Sequence, residues 1–178
     1  MIITENVIID KLKPIDASQL HVFMIQNTER FTKFFPRTLS DNVTLEKSLV
    51  YIETKDREIQ QKINFTFAIR EIDTQKIIGL IIIKKIDWTN RIGELAYCIE
   101  NNFEGKGLIS KVVKVISSFA YNELELKTLQ IIAHKTNFGS IKVAENNGFI
   151  WQRTLIDEFT PTNELPLNME LYELTNER

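Results

Sequence analysis

The sequence predicts one α/β (α+β) domain over residues 1–178, a mixed and mostly antiparallel sheet with helices on both faces. Three observations predict it. The elements read in the order β-α-α-β-β-β-α-β-α-β-β, with hairpin strands ahead of a strand–helix–strand unit. The length, 178 residues, is that of one ordinary domain. Only four prolines and six glycines punctuate the chain, and no repeat, linker or low-complexity tract divides it.

Residues 3–12 alternate weakly and read as a first strand. Asp16 is placed to cap a helix carrying Leu20, Phe23 and Met24 at helical spacing. Residues 30–36 read as an aromatic-rich break, with Phe31, Phe34 and Phe35 either packing the core and loop or forming a clamp. Ser40 or Asp41 then caps a second helix with Leu45, Leu49 and Ile52 on one face. Strands are expected over 65–71 and 76–87, joined by a turn at Asp73-Thr74-Gln75, and over 92–100. A helix runs from about Gly107 to Leu124, its apolar face built from Val112, Val113, Val115, Ile116 and Phe119. Residues 127–133 form a short strand, and a helix over 137–147 stops at Gly148. Two strands close the chain, near 149–159 and 166–174. The crossover between the parallel strands should be right-handed. Trp88 and Trp151 read as packing residues.

Composition excludes several functions. The chain is 43% hydrophobic and 26% charged, which fits a globular protein. Net charge is −2 and the pI is about 5.8, so no electrostatic footprint for nucleic acid is present. A cationic amine would not be repelled. A single cysteine, Cys98, allows neither an internal disulfide nor a zinc site. His21 and His134 lack partners at metal-ligand spacing. The longest apolar run, residues 77–83, is far below the ~20 residues a bilayer requires. Glu5 and Asp10 stand where a leader would need an apolar core. The expected compartment is the cytoplasm, with no membrane partner.

The most informative stretch is Glu104-Gly105-Lys106-Gly107-Leu108-Ile109-Ser110. A strand runs into a glycine-spaced turn, and the turn opens a long helix. Glycine allows positive φ and close backbone approach. The first helical N–H groups lack intrahelical partners, and the helix dipole adds partial positive charge there. Together they form an anion site. The spacing fails the Walker pattern, and Ser110 breaks the dinucleotide fingerprint. A pyrophosphate cradle of acyl-CoA type and an ordinary glycine turn before a helix both remain open.

The turn has company. Gly93-Glu94-Leu95-Ala96-Tyr97-Cys98-Ile99 precedes it, with Phe103 just ahead of Glu104. Asn137-Phe138-Gly139-Ser140 and Glu145-Asn146-Asn147-Gly148-Phe149 follow the helix. In this order and spacing, residues 92–150 resemble the GNAT superfamily of N-acetyltransferases, particularly the ribosomal-protein and spermidine acetyltransferase branch. The resemblance implies a splayed central strand pair and acetyl-CoA as cofactor. It implies that Gly105, Lys106, Gly107, Leu108, Ile109 and Ser110 hold the CoA pyrophosphate, with Glu104 leading the turn. Tyr97, Cys98 and Ile99 would pair with pantetheine through their backbone, and amides near Cys98 and Ile99 would face the oxyanion. Asn137 matches an asparagine on the cofactor arm. Three departures stand out: Glu104 replaces a Gln or Arg, Ile109 replaces a small residue, and Ala144 replaces a tyrosine that acts as general acid in many members. Lys106 could offset Glu104. A homodimer is implied by family habit.

Acetyl transfer requires a neutral amine, a polarised thioester carbonyl and a thiolate able to leave. Glu94 is the candidate base or orienting acid: strand alternation groups it with Ala96 and Cys98, inside an otherwise apolar strand. The competing reading is an acid on a solvated strand face. Cys98 is either a small buried filler or an acyl-carrying nucleophile. Ser140 either donates a proton to the thiolate or stabilises a helix start. Asp157, Glu158 and Glu164 form a surface that could attract a cation. The acceptors expected are a protein or peptide N-terminus first, a small amine or polyamine second, and antibiotic amines third. The alternative function is a non-catalytic acyl-CoA-binding or regulatory module.

Overall fold

A computed structural model describes residues 1–4, 6–161 and 165–176; Glu164 of the acidic stretch lies outside them. Eight strands form one sheet in the order β1-β2-β3-β4-β5-β6-β8-β7. They are β1 (Ile2–Ile3), β2 (Val7–Lys11), β3 (Phe65–Glu71), β4 (Ile77–Asp87), β5 (Ile92–Ile99), β6 (Thr128–His134), β7 (Ile150–Phe159) and β8 (Leu167–Thr175). The helices are α1 (Ala17–Gln26), α2 (Thr28–Phe34), α3 (Pro36–Ser40), α4 (Leu45–Gln60), α5 (Leu108–Asn122) and α6 (Phe138–Asn146). Pairs β1/β2, β2/β3, β6/β8 and β7/β8 are antiparallel, and β5/β6 is parallel. This is the mixed, mostly antiparallel sheet the sequence predicts.

The chain forms two compact units. One comprises Met1–Ile82 with Tyr97–Glu104; the other comprises Ile83–Ala96 and the chain from Gly105 on. In the first, Leu20, Phe23, Met24, Phe31, Tyr51, Ile52, Ala68, Leu80 and Cys98 share one apolar cluster. A buried guanidinium also anchors it. Arg70 on β3 donates to Asp10 Oδ1 at 2.7 Å and to both Asp16 oxygens at 3.1 and 2.7 Å. In the second, α5 buries Leu108, Ile109, Val112, Val113, Ile116 and Ala120, while Val115 and Phe119 are half-buried. β6 buries Leu129, Ile131 and Ala133 in strict alternation.

Several local expectations are corrected. The first strand is a hairpin, because the amide and hydroxyl of Thr4 both donate to Val7 O and turn the chain. Asp16 does not cap α1 through its side chain; its carboxylate serves Arg70 and accepts from Lys13 N at 2.7 Å. A bidentate pair with a guanidinium outcompetes a cap made to backbone N–H groups. The aromatic break is in fact helical. Phe31 stacks 5.4 Å from Phe23 and 6.2 Å from Phe35, which draws α2 inward. Pro36 then starts α3 at a position where its missing N–H costs nothing. Thr44, not Ser40 or Asp41, caps α4, accepting from Lys47 N at 3.2 Å. The buried face of α4 is Ser48, Tyr51 and Ile52; Leu45 and Leu49 are exposed. Trp88 and Trp151 are exposed as well, and Trp151 Nε1 donates to Glu170 Oε2 at 2.6 Å. Trp151 lies on β7, which ends the sheet and offers little to bury it.

Candidate active site

The turn ahead of α5 takes its shape from two glycines. Gly105 has φ 69° and Gly107 has φ 72° with ψ 5°, left-handed values that favour glycine. Neither site is crowded: a Cβ built on either glycine would have no neighbour within 4 Å. Conformation explains glycine here; packing does not. No side chain caps α5, and its first turn carries no acid. The first amide to find a helical carbonyl is Lys111 N, 3.2 Å from Gly107 O. Among the described residues, the amides of Gly105, Gly107, Leu108, Ile109 and Ser110 donate to no protein oxygen. Ile109 is buried in the core face of α5, so its bulk points away from solvent. Ser110 Oγ accepts from Asn147 Nδ2 at 2.9 Å. The arrangement is an open stretch of backbone with unpaired donors at the positive end of a helix of 15 residues, which suits an anion.

Glu104, just before this turn, is ion-paired with Arg30 of α2. Arg30 Nη1 also donates to Ile99 O at 3.2 Å and lies 3.5 Å from Asn27 Oδ1. The carbonyl of Ile99 is therefore already bonded. Arg30 was invisible as a functional residue in the sequence, where it lay in a supposed break.

Glu94 is buried, its side chain 7% exposed, but it is not alone among apolar groups. Lys84 Nζ lies 2.9 Å from Oε1 and Lys85 Nζ 3.2 Å from Oε2. Consecutive strand residues normally point to opposite faces. Lys85 has φ 49°, which breaks the alternation and lets both ammonium groups reach one carboxylate. Burial would push the Lys85 ammonium down; Glu94 and Glu158 outweigh it and hold it above its ordinary value. Neither Lys84 nor Lys85 emerged from the sequence, although adjacent lysines ending the apolar run 77–83 were the available signal.

Cys98 is buried. Burial pushes its thiol up to about 12, against the Leu80 amide and the Arg30 guanidinium, which act to lower it. A thiol held in this way is a poor nucleophile, which favours the packing reading over an acyl-cysteine. Asn137 caps α6, its Oδ1 accepting from Ser140 N at 3.1 Å. Ala144 is fully buried in the same helix. His21 Nδ1 meets Asn42 O at 2.9 Å and His134 Nδ1 meets Thr136 Oγ1 at 2.8 Å, both local structural bonds. The parallel ladder runs from Ile92↔Thr128 to Leu95↔Ile131, while β6 stays paired with β8 as far as His134↔Met169. Tyr97 and Ile99 lie past the end of that ladder, on β5.

The acetyltransferase (GNAT) domain family matches residues 6–150. The chain belongs to that family. It is 31% identical over 150 residues to the Bacillus subtilis protein named "Putative ribosomal N-acetyltransferase YdaF", covering 83% of this chain and 80% of that one. It is 25% identical over 150 residues to the spermidine N(1)-acetyltransferase of Escherichia coli K12, covering 84% and 77%. A ribosomal-protein-S5-alanine acetyltransferase from Vibrio fischeri shares the fold at TM-score 0.91 and 18% identity, over 99% of this chain and 96% of that one. This GNAT protein is an acetyl-CoA-dependent N-acetyltransferase. The residues present fit the cofactor: the glycine turn leaves its donors and its inner surface open to a diphosphate. Among the described residues, no helix is long and apolar enough to cross a membrane.

Proposed function

We propose that this acetyltransferase modifies an α-amino group, the N-terminus of a protein or peptide, ahead of a polyamine, and does so by direct attack within a ternary complex. Bound acetyl-CoA supplies the activated acetyl thioester. The amides of residues 105–110 hold its pyrophosphate, and Asn137, its Oδ1 committed to the α6 cap, turns Nδ2 toward the cofactor arm. Backbone groups at Tyr97 and Cys98 orient the acyl end. The Ser140 hydroxyl donates a hydrogen bond to the departing thiolate, which takes up the proton released by the acylated amine; Ala144 has no group to perform that task. A ribosomal N-acetyltransferase and a spermidine acetyltransferase among the relatives support both acceptor classes. A cytoplasmic location accords with either.

The observation that carries the ranking is the clamp on Glu94. A carboxylate that takes a proton from the acceptor must surrender its ion pairs with Lys84 and Lys85. An α-amine loses its proton near pH 7.7–8.0, so roughly a tenth is already neutral at pH 7. A lysine-like or polyamine nitrogen, near 10.4, is neutral in only about one molecule in two thousand. The first acceptor needs little help from a base; the second needs a great deal. Thiol release measured with an N-terminal peptide panel and with spermidine tests this. Glu94→Gln should lower kcat/KM on the peptide less than about 100-fold; a loss of 10²–10⁴ would make Glu94 the general base after all. Preference for spermidine would reverse the ranking. CoA binding with no turnover on any amine would favour a regulatory acyl-CoA module.

A further inference from the structure

We propose that Arg30 is a positioning residue for acetyl-CoA: by neutralising and tethering Glu104 it makes an acid at the head of the phosphate turn compatible with a bound diphosphate. This deepens the acetyl-CoA reading and rests on it.

Glu104 is the anomaly that requires an account. It precedes Gly105 directly, so its charge lies within one residue, roughly 4–8 Å, of the open turn amides. At 6 Å in a water-like medium each unit of like charge costs about a factor of three in affinity, and a diphosphate carries two. An uncompensated acid there would work against the helix dipole that attracts the anion.

Arg30 removes the conflict, and it does so from a fixed platform. Nη1 is held by Ile99 O at 3.2 Å, with Asn27 Oδ1 at 3.5 Å. Asn27 is buried and is itself fixed by donating to Phe23 O at 2.8 Å. The neighbouring Phe31 is locked into the aromatic cluster. Nη2 remains for Glu104. On the other side, the short turn over Asn101–Phe103 brings Glu104 back, with Glu104 N donating to Asn101 O at 3.1 Å. A planar guanidinium holds a carbonyl and a carboxylate together in a fixed geometry; a lysine ammonium in its place is a point charge without that fork. With side chains 35% and 47% exposed, the pair adds little to folding stability, so its use lies in the local field.

The test is a four-protein comparison: wild type, Arg30→Ala, Glu104→Gln and the double variant, each titrated with CoA calorimetrically at 50 and 500 mM salt. Arg30→Ala should weaken CoA three- to tenfold at low salt and less at high salt. Glu104→Gln should tighten it two- to threefold, because Arg30 then faces the anion unopposed. The double variant should return to within twofold of wild type. A double variant as weak as Arg30→Ala would overturn the proposal, since Arg30 would then be holding backbone rather than balancing charge. Arg30→Ala within twofold of wild type would overturn it too. If Arg30→Ala does not fold, Glu104→Gln decides alone: tightening supports the proposal, and no change refutes it. Failure of wild type to bind CoA would instead sink the acetyl-CoA reading itself.

Discussion

Replacing Gly107 by alanine separates two explanations of the glycine turn. Gly107 holds φ 72° at the start of α5, and an added Cβ would meet nothing within 4 Å. The stability cost is therefore conformational alone. An L-residue in the left-handed region costs about 1–2 kcal/mol. Reduced freedom of the unfolded chain returns roughly 0.4–1 kcal/mol. The net loss is about 1 kcal/mol, or roughly 2–4 °C in Tm for a chain of this size. Binding should suffer more, because the methyl group enters the space reserved for the anion. Losing one charge-assisted amide bond at about 1.5–3 kcal/mol weakens CoA by roughly 10- to 150-fold. The assay is calorimetric titration with CoA beside thermal melting without it. Gly148→Ala is the control. Its φ of 80° imposes the same strain at the end of α6, where a Cβ would only touch Leu174 Cδ1 at 3.7 Å. If Gly107→Ala and Gly148→Ala bind CoA equally well, the turn serves only to begin a helix, and the cradle argument is wrong.

Two further variants probe the groups buried around it. Cys98 has its thiol raised from 9.0 to about 12 by burial, so its stabilising contribution is complete below pH 9 and is lost as pH climbs toward 12. From pH 8 to 10, urea unfolding should show wild type losing about 1.4 kcal/mol more than Cys98→Ala, and a parallel fall in both would mean the thiol is not sequestered. Cys98→Ala should also retain turnover, and its loss would revive an acyl-cysteine. Arg70→Ala strands Asp10 and Asp16 without their shared cation and should cost about 3–5 kcal/mol, seen as a Tm lowered by roughly 6–20 °C. A loss under 1 kcal/mol would show that water replaces the guanidinium.

The sheet and the α5–α6 half of the fold were legible because their signals are local. β6 alternates strictly, α5 keeps its helical period, and Gly148 ends α6 by its own φ. The region before β3 was less legible because its helices are shaped by tertiary contacts. Nothing local tells a reader that Phe31 stacks on Phe23 or that Thr44 replaces Ser40 as a cap. The site divides the same way. Gly105 and Gly107 advertise their turn in sequence, whereas Asn137, read there as a cofactor contact, also caps α6. Arg30 and Glu104 lie 74 residues apart and announce nothing until the chain brings them together.

Glu94 shows how one backbone dihedral can redirect a chemical argument. Strict strand alternation would send Lys84 and Lys85 to opposite faces, leaving at most one of them beside the acid. The φ of 49° at Lys85 brings both cations to the same carboxylate. The acid becomes one member of a chain of charges reaching Glu158 through Lys85. Proton removal from the acceptor must then either break that chain or be supplied by the acceptor's own acidity. An α-amine meets the second condition more readily than a polyamine, so on the proposed mechanism the bend at Lys85 bears on the choice of amine.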